Sequence, residues 1–145
     1  MITIKDNVIA KLKSFLLGYD NAIFAFLFGS YAEGSVTRDS DLDIAIFFNS
    51  RPDIYMRNEL RGKLEKMLGK TADLVALNEA SPVIRMQVLR KGILLVNKDP
   101  MVYNEFFVNT IKEYYDLKQN RKHNVTSHLL FWVIIWLKNL KLNTY

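Results

Sequence analysis

Cysteine is missing from this 145-residue chain altogether. Without thiols there is no disulfide framework and no thiolate metal site, and the composition fits a reducing cytoplasm. Histidine is almost as scarce. His123 and His128 are the only two, too few for a zinc centre built on imidazoles. Long apolar runs are lacking as well. The longest, Leu129 to Leu137, has nine residues, against the roughly 20 that a membrane-crossing helix needs. Met1 to Lys11 alternates charge with hydrophobe and has no signal-peptide core. There is no internal repeat, no low-complexity tract and no evident linker. The net charge of +5 is modest. It serves ATP or an acidic partner as well as nucleic acid, so it gives no reason to expect a nucleic-acid binder.

What is present is a globular composition, 50% hydrophobic, long enough for one domain with a real core. Ile4, Val8, Ile9, Leu12, Phe15 and Leu16 recur at helical spacing, predicting a helix over 4–18. Ala22–Phe28 is a continuous apolar run and predicts a buried strand. A short helical turn is expected at 31–34, a second strand at 41–48, and a helix from about 53 to 68 with Tyr55, Leu60, Leu64 and Leu68 on one face. A third strand is expected at 71–77 and a helix opening at Ser81-Pro82, with Ile84, Met86, Val88 and Leu89 inside. A short strand at 93–96 and a helix from 102 to about 118 follow. Strands interleaved with helices argue for an α/β domain. The apolar stretch 129–137 is expected to pack on the domain or on a partner.

The chemistry is concentrated in the connection between the first two strands. It reads Gly29-Ser30-Tyr31-Ala32-Glu33-Gly34 and ends in Asp41-Leu42-Asp43 at the start of the next strand. Residues two apart on a strand point the same way, so Asp41 and Asp43 project together. Adjacent carboxylates repel unless a cation lies between them, and hard oxygen ligands suit Mg²⁺ bound with substrate phosphates. The Gly-Ser turn offers backbone N–H groups and a hydroxyl to phosphate. Together these features predict a site for a nucleoside triphosphate and magnesium. A surface turn before a strand also favours Gly, Ser and Asp, but it does not require paired aspartates on one strand face.

Gly29-Ser30, ten intervening residues, then Asp41-Leu42-Asp43 resembles the signature of the DNA polymerase beta-like nucleotidyltransferases. The chain's small size resembles their minimal (MNT) branch, many members of which are antitoxins paired with HEPN toxins. The resemblance covers roughly 4–118. It implies the nucleotidyltransferase fold, a small mixed sheet with packed helices, over 1–118, with 119–145 as a C-terminal tail. It implies a third carboxylate on a neighbouring strand, for which Asp73 in Thr71-Ala72-Asp73-Leu74-Val75 is the candidate. It further implies two Mg²⁺ ions held by Asp41, Asp43 and Asp73, and ATP as substrate, contacted by Gly29 and Ser30. Asp73 is the candidate to receive the acceptor's proton. Family members often carry Arg where this chain has Glu33, and Arg38 in the same loop is a candidate to offset that charge.

The activity implied is transfer of AMP from ATP to a tyrosine of a separate HEPN ribonuclease toxin, silencing it in the cytoplasm. Two other functions fit the same residues. One is a binding-only antitoxin that acts by occlusion. The other is a small-molecule nucleotidyltransferase, which usually needs an additional helical domain. Arg121 and His128 match an R-x6-H spacing seen in HEPN ribonucleases, an accidental match here, since too little chain remains for a helical bundle. The basic cluster Lys118, Arg121, Lys122 and His123 reads as a solvated face. The aromatic residues of 103–115 read as core.

Overall fold

The computed structural model describes residues 3–34, 36, 40–119, 133, 135 and 136. Arg38 and most of the tail, including Arg121, His123 and His128, lie outside the described residues. Among the described residues nine elements follow in chain order: α1 (Ile4–Leu17), β1 (Ala22–Phe28), α2 (Ser30–Glu33), β2 (Leu42–Phe48), α3 (Ile54–Leu68), β3 (Ala72–Ala76), α4 (Pro82–Lys91), β4 (Ile93–Asn97) and α5 (Pro100–Lys118). The strands form one sheet in the order β3-β2-β1-β4. β1 runs antiparallel to both β2 and β4, and β2 runs parallel to β3.

Helices cover both faces of the sheet, which is why β1 is apolar on every side. Val8, Leu12 and Leu16 of α1 and Leu60 and Leu64 of α3 pack on one face, against Ala25, Leu27, Ile44 and Ile46. On the other face Met86, Val88 and Leu89 of α4 and Tyr103, Phe106 and Phe107 of α5 pack against Phe24, Phe26 and Ala45. Strand alternation sorts the residues: Phe24 and Phe26 go to one side, Ala25 and Leu27 to the other. Phe24 lies edge-on to Tyr103, with ring centroids 5.1 Å apart. That arrangement suits the ring quadrupoles.

The helix ends follow capping rules. The side chains of Thr3, Asp53, Ser81 and Asp99 each accept a hydrogen bond from a first-turn backbone N–H. Beyond β3, Asn78 continues the sheet with its side chain. Its amide accepts from the Phe48 N–H at 2.8 Å and donates to the Phe48 carbonyl at 2.9 Å.

Three sequence expectations need correction. Asp41 does not lie within the second strand; β2 begins one residue later, at Leu42. Tyr55 does not share the buried face of α3, since it is 81% exposed, and Ile84 is likewise exposed in the first turn of α4. Both sit in helix turns that extend past the apolar clusters. In the tail, Ile135 and Trp136 pack on the α4–α5 side, and the Trp136 indole N–H donates to Asn104 Oδ1 at 3.3 Å. The stretch is expected to pack on the domain or on a partner, and these two described residues pack on the domain. No helix among the described residues is long and apolar enough to cross a membrane.

Candidate active site

The two apolar strands β1 and β2 lie side by side, with Phe28 opposite Asp43. The chain leaves β1 at Phe28 and turns at once through Gly29 into α2. Gly29 has φ 71° and ψ −146°, a backbone conformation that only glycine adopts without strain. A Cβ at this position would overlap the Asp43 carboxylate and would lie 3.0 Å from its Cγ. The turn and the carboxylate are therefore in direct contact.

α2 is a single turn anchored by Tyr31, whose side chain is wholly buried in the α1–α3 cluster. The Ala32 and Glu33 N–H groups donate back to the Gly29 carbonyl at 3.1 and 3.0 Å. The first N–H groups of any helix have no acceptor within the helix. At Ser30 and Tyr31 they sit beside the Ser30 hydroxyl, one residue from the Asp43 contact.

The parallel register of β2 and β3 sets Asp43 beside Asp73, one strand spacing away, about 4.8 Å. Carried back two residues, the same register sets Asp41 beside Thr71, whose hydroxyl donates to Asp41 Oδ1. The Leu42 N–H donates to the Thr71 carbonyl at 2.9 Å, closing the ladder. All three carboxylates thus meet at one end of the sheet, on the α4–α5 face. β3 is an edge strand, and Asp73 is exposed.

Burial pushes the Asp43 carboxyl above its ordinary pKa, and the charges of Asp73 and then Asp41 push it the same way. Asp73 and Asp41 both act on Asp43, and among the described residues no three acidic or imidazole side chains close into a metal cage. The carboxylates are hard oxygen donors of the kind that could hold Mg²⁺. The ion takes one or two carboxylates and fills its octahedron with water and substrate phosphates. The like charges that press on Asp43 are what a hard cation relieves.

Two residues that the sequence did not single out belong to this arrangement. Thr71 fixes Asp41, and its only signal in the sequence is its place two residues before Asp73. Lys91, the last residue of α4, lies 3.6 Å from Glu33 Oε1. The Glu33 charge is therefore offset from α4. Arg38, the cation expected to do so, is outside the described residues.

A family model described as Polymerase beta, Nucleotidyltransferase matches residues 10–101. The chain belongs to this family. The matched span holds the Gly29-Ser30 turn and all three carboxylates. Among relatives, the chain is similar to protein adenylyltransferase MntA of Shewanella oneidensis, at 38% identity over 99 residues, covering 67% of this chain and 69% of that protein. It is also similar to protein adenylyltransferase MntA of Thermococcus cleftensis, at 38% identity over 67 residues, covering 46% and 68%. Among solved structures it resembles a toxin–antitoxin with AMP-PNP, with a TM-score of 0.66 and 36% identity over 79% of this chain and 90% of that one. It also resembles a complex of tri-AMPylated Shewanella oneidensis HEPN toxin with MNT antitoxin, with a TM-score of 0.65 and 30% identity over 81% and 92%. The polymerase beta-like fold expected from the signature, a mixed four-stranded sheet with helices packed on it, is the fold observed.

Proposed function

We propose that this protein is an antitoxin that transfers AMP from ATP to a tyrosine hydroxyl of a cognate HEPN toxin in the cytoplasm, and so silences it. The observation that carries this reading is the meeting of Asp41, Asp43 and Asp73 beside the Gly29-Ser30 turn. The likeness to MntA adenylyltransferases and to an AMPylated toxin complex supports the acceptor. The likeness to a toxin–antitoxin with AMP-PNP supports the nucleotide.

In this reading Gly29 lets the backbone approach the triphosphate, and the Ser30 hydroxyl and first-turn N–H groups bind its β/γ end. Asp41 and Asp43 would hold Mg²⁺ along with the phosphates, and Asp73 would share a second ion. When bound, Mg²⁺ neutralises phosphate charge and acidifies the acceptor hydroxyl. The tyrosine oxygen attacks the α-phosphorus, the bond to the β-phosphate oxygen breaks, and pyrophosphate leaves. Asp73, exposed on its edge strand, is within reach of a protein acceptor and takes the tyrosine proton. Most of the acceleration comes from positioning and charge stabilisation.

The reading is tested by incubating the chain with ATP, Mg²⁺ and its helical partner and weighing the partner. One or more AMP masses on a tyrosine are expected, and none with Asp41→Asn/Asp43→Asn. Inhibition of the partner with no added mass, equally strong in the double variant, would establish occlusion without turnover instead.

A further inference from the structure

α4 packs on the same face of the sheet that carries the three carboxylates, with Met86, Val88 and Leu89 against Phe24 and Phe26. Its C-terminal end is pressed close to β1. At Gly92, the residue after the helix, a Cβ would lie 2.5 Å from the Val88 carbonyl oxygen and 3.1 Å from Phe26 Cδ1. The first contact is within α4 itself, and the second sets Gly92 directly against the Phe26 ring of β1. That second contact brings the last turn of α4 beside the part of β1 that leads, three residues on, into Gly29. Lys91 is thereby set next to α2, with Nζ 3.6 Å from Glu33 Oε1.

The Lys91–Glu33 pair contributes little as a stabilising contact. Its side chains are 61% and 52% exposed, and exposed ion pairs are weak because water and salt screen them. Its placement gives it another use. Glu33 closes the helical turn that Ser30 opens, a turn about 5 Å long, and Lys91 is paired to the Glu33 side chain at its far end. A lysine ammonium on its flexible stem binds phosphate as a point charge and can change partners by rotating.

We propose that Lys91 is a triphosphate-binding cation of this site and that Glu33 is its counter-ion in the nucleotide-free protein. The role rests on the nucleotide reading above and adds to it a residue outside the aspartate motif. On binding, Lys91 leaves a single carboxylate for the multiply charged β/γ-phosphates. Glu33 competes for the same ammonium and so lowers affinity for ATP. The displaced carboxylate stays in the loop and is screened by solvent.

The test is calorimetric titration of the whole chain with AMP-PNP and with AMP, both with Mg²⁺, at low and moderate salt. The proteins are wild type, Lys91→Gln, Lys91→Arg and Glu33→Gln. Lys91→Gln is expected to weaken AMP-PNP binding about tenfold, the scale of one charge-assisted contact, and to flatten its salt dependence. AMP, which lacks the β- and γ-phosphates, should bind Lys91→Gln as it binds wild type. Lys91→Arg should keep most of the AMP-PNP affinity, and Glu33→Gln should raise it a few-fold. All four proteins should melt together, because the pair is exposed. Wild-type AMP-PNP affinity in Lys91→Gln, or equal weakening of AMP and AMP-PNP, would overturn the role of Lys91 alone. Unchanged affinity in Glu33→Gln would overturn the counter-ion role. A wild-type chain that binds no AMP-PNP would overturn the nucleotide reading with it.

Discussion

Gly29 and Asp43 exclude any side chain at position 29. A Cβ there would occupy the space of the Asp43 carboxylate, on a backbone already at φ 71°. Gly29→Ala therefore carries two separate penalties, backbone strain and steric overlap. A cost of about 1–3 kcal/mol is expected from the strained backbone alone, with loss of AMP transfer. In urea unfolding, Gly29→Ala/Asp43→Ala should recover the steric part and leave the backbone part. The reference is Asp43→Ala alone, and a double variant as stable as Asp43→Ala would show that the backbone conformation is not strained.

Asp43 also sets a pH dependence. Its folded-state pKa lies above the ordinary value, so the native state binds its proton more tightly than the unfolded chain does. The stability this gives in acid is lost as pH rises through the folded pKa, and above it the carboxylate charge is a cost. Asp43→Asn should melt higher than wild type at neutral pH without Mg²⁺. The gap should close as pH falls through the carboxylate range. Melting curves at a series of pH values decide the matter, and a variant no more stable than wild type at neutral pH would contradict the assignment.

Thr71 acts through Asp41. Thr71→Val keeps the shape and removes the hydroxyl that donates to the carboxylate. On this partly exposed edge the change should cost no more than about 1 kcal/mol. AMP transfer should fall, and the Mg²⁺ concentration for half-maximal rate should rise. A lower rate with an unchanged Mg²⁺ requirement would mean that the hydroxyl does not orient a metal ligand.

Arg85 of α4 ties the β3–α4 connection to α5, away from the carboxylates. Its Nε donates to the Leu77 carbonyl at 3.0 Å and its Nη2 to the Asn78 carbonyl at 3.2 Å. Its guanidinium lies 5.3 Å from the centre of the Phe106 ring. Arg85→Met should destabilise the fold by about 2–4 kcal/mol, since two charge-assisted bonds to part-buried carbonyls go unreplaced. Chemical denaturation measures it, and a loss below about 0.5 kcal/mol, the range of ordinary surface substitutions, would show these bonds to be replaceable by water.

The sequence made β1 readable because a strand covered on both faces has no polar side to interrupt it, and its bounds, Ala22 to Phe28, are those observed. The carboxylate pair was legible from its spacing, although Asp41 precedes β2 by one residue and is held beside Asp43 with the help of the Thr71 hydroxyl. Sheet order itself was not legible. Ala72-Asp73-Leu74-Val75-Ala76 reads alike as an edge or an interior strand, because the difference lies in which distant strand fails to pair with it. Tyr55 misled for a similar reason. Helical spacing tells which residues align, not how far the helix extends past the residues it covers. Lys91 gave no local signal, since its meeting with Glu33 depends on how α4 docks against β1.

β3 is bonded to the sheet along one side only, whereas β2 is bonded along both. The amides of an edge strand open to solvent more readily than those of an interior one. The amides around Asp43 are therefore expected to exchange late and those around Asp73 early. Hydrogen exchange should separate these two acids by strand, and equal rates for β2 and β3 would contradict the expectation. In the proposed reaction, the half of the site that grips the nucleotide stands on the interior strand, and the half that meets the incoming protein stands on the edge.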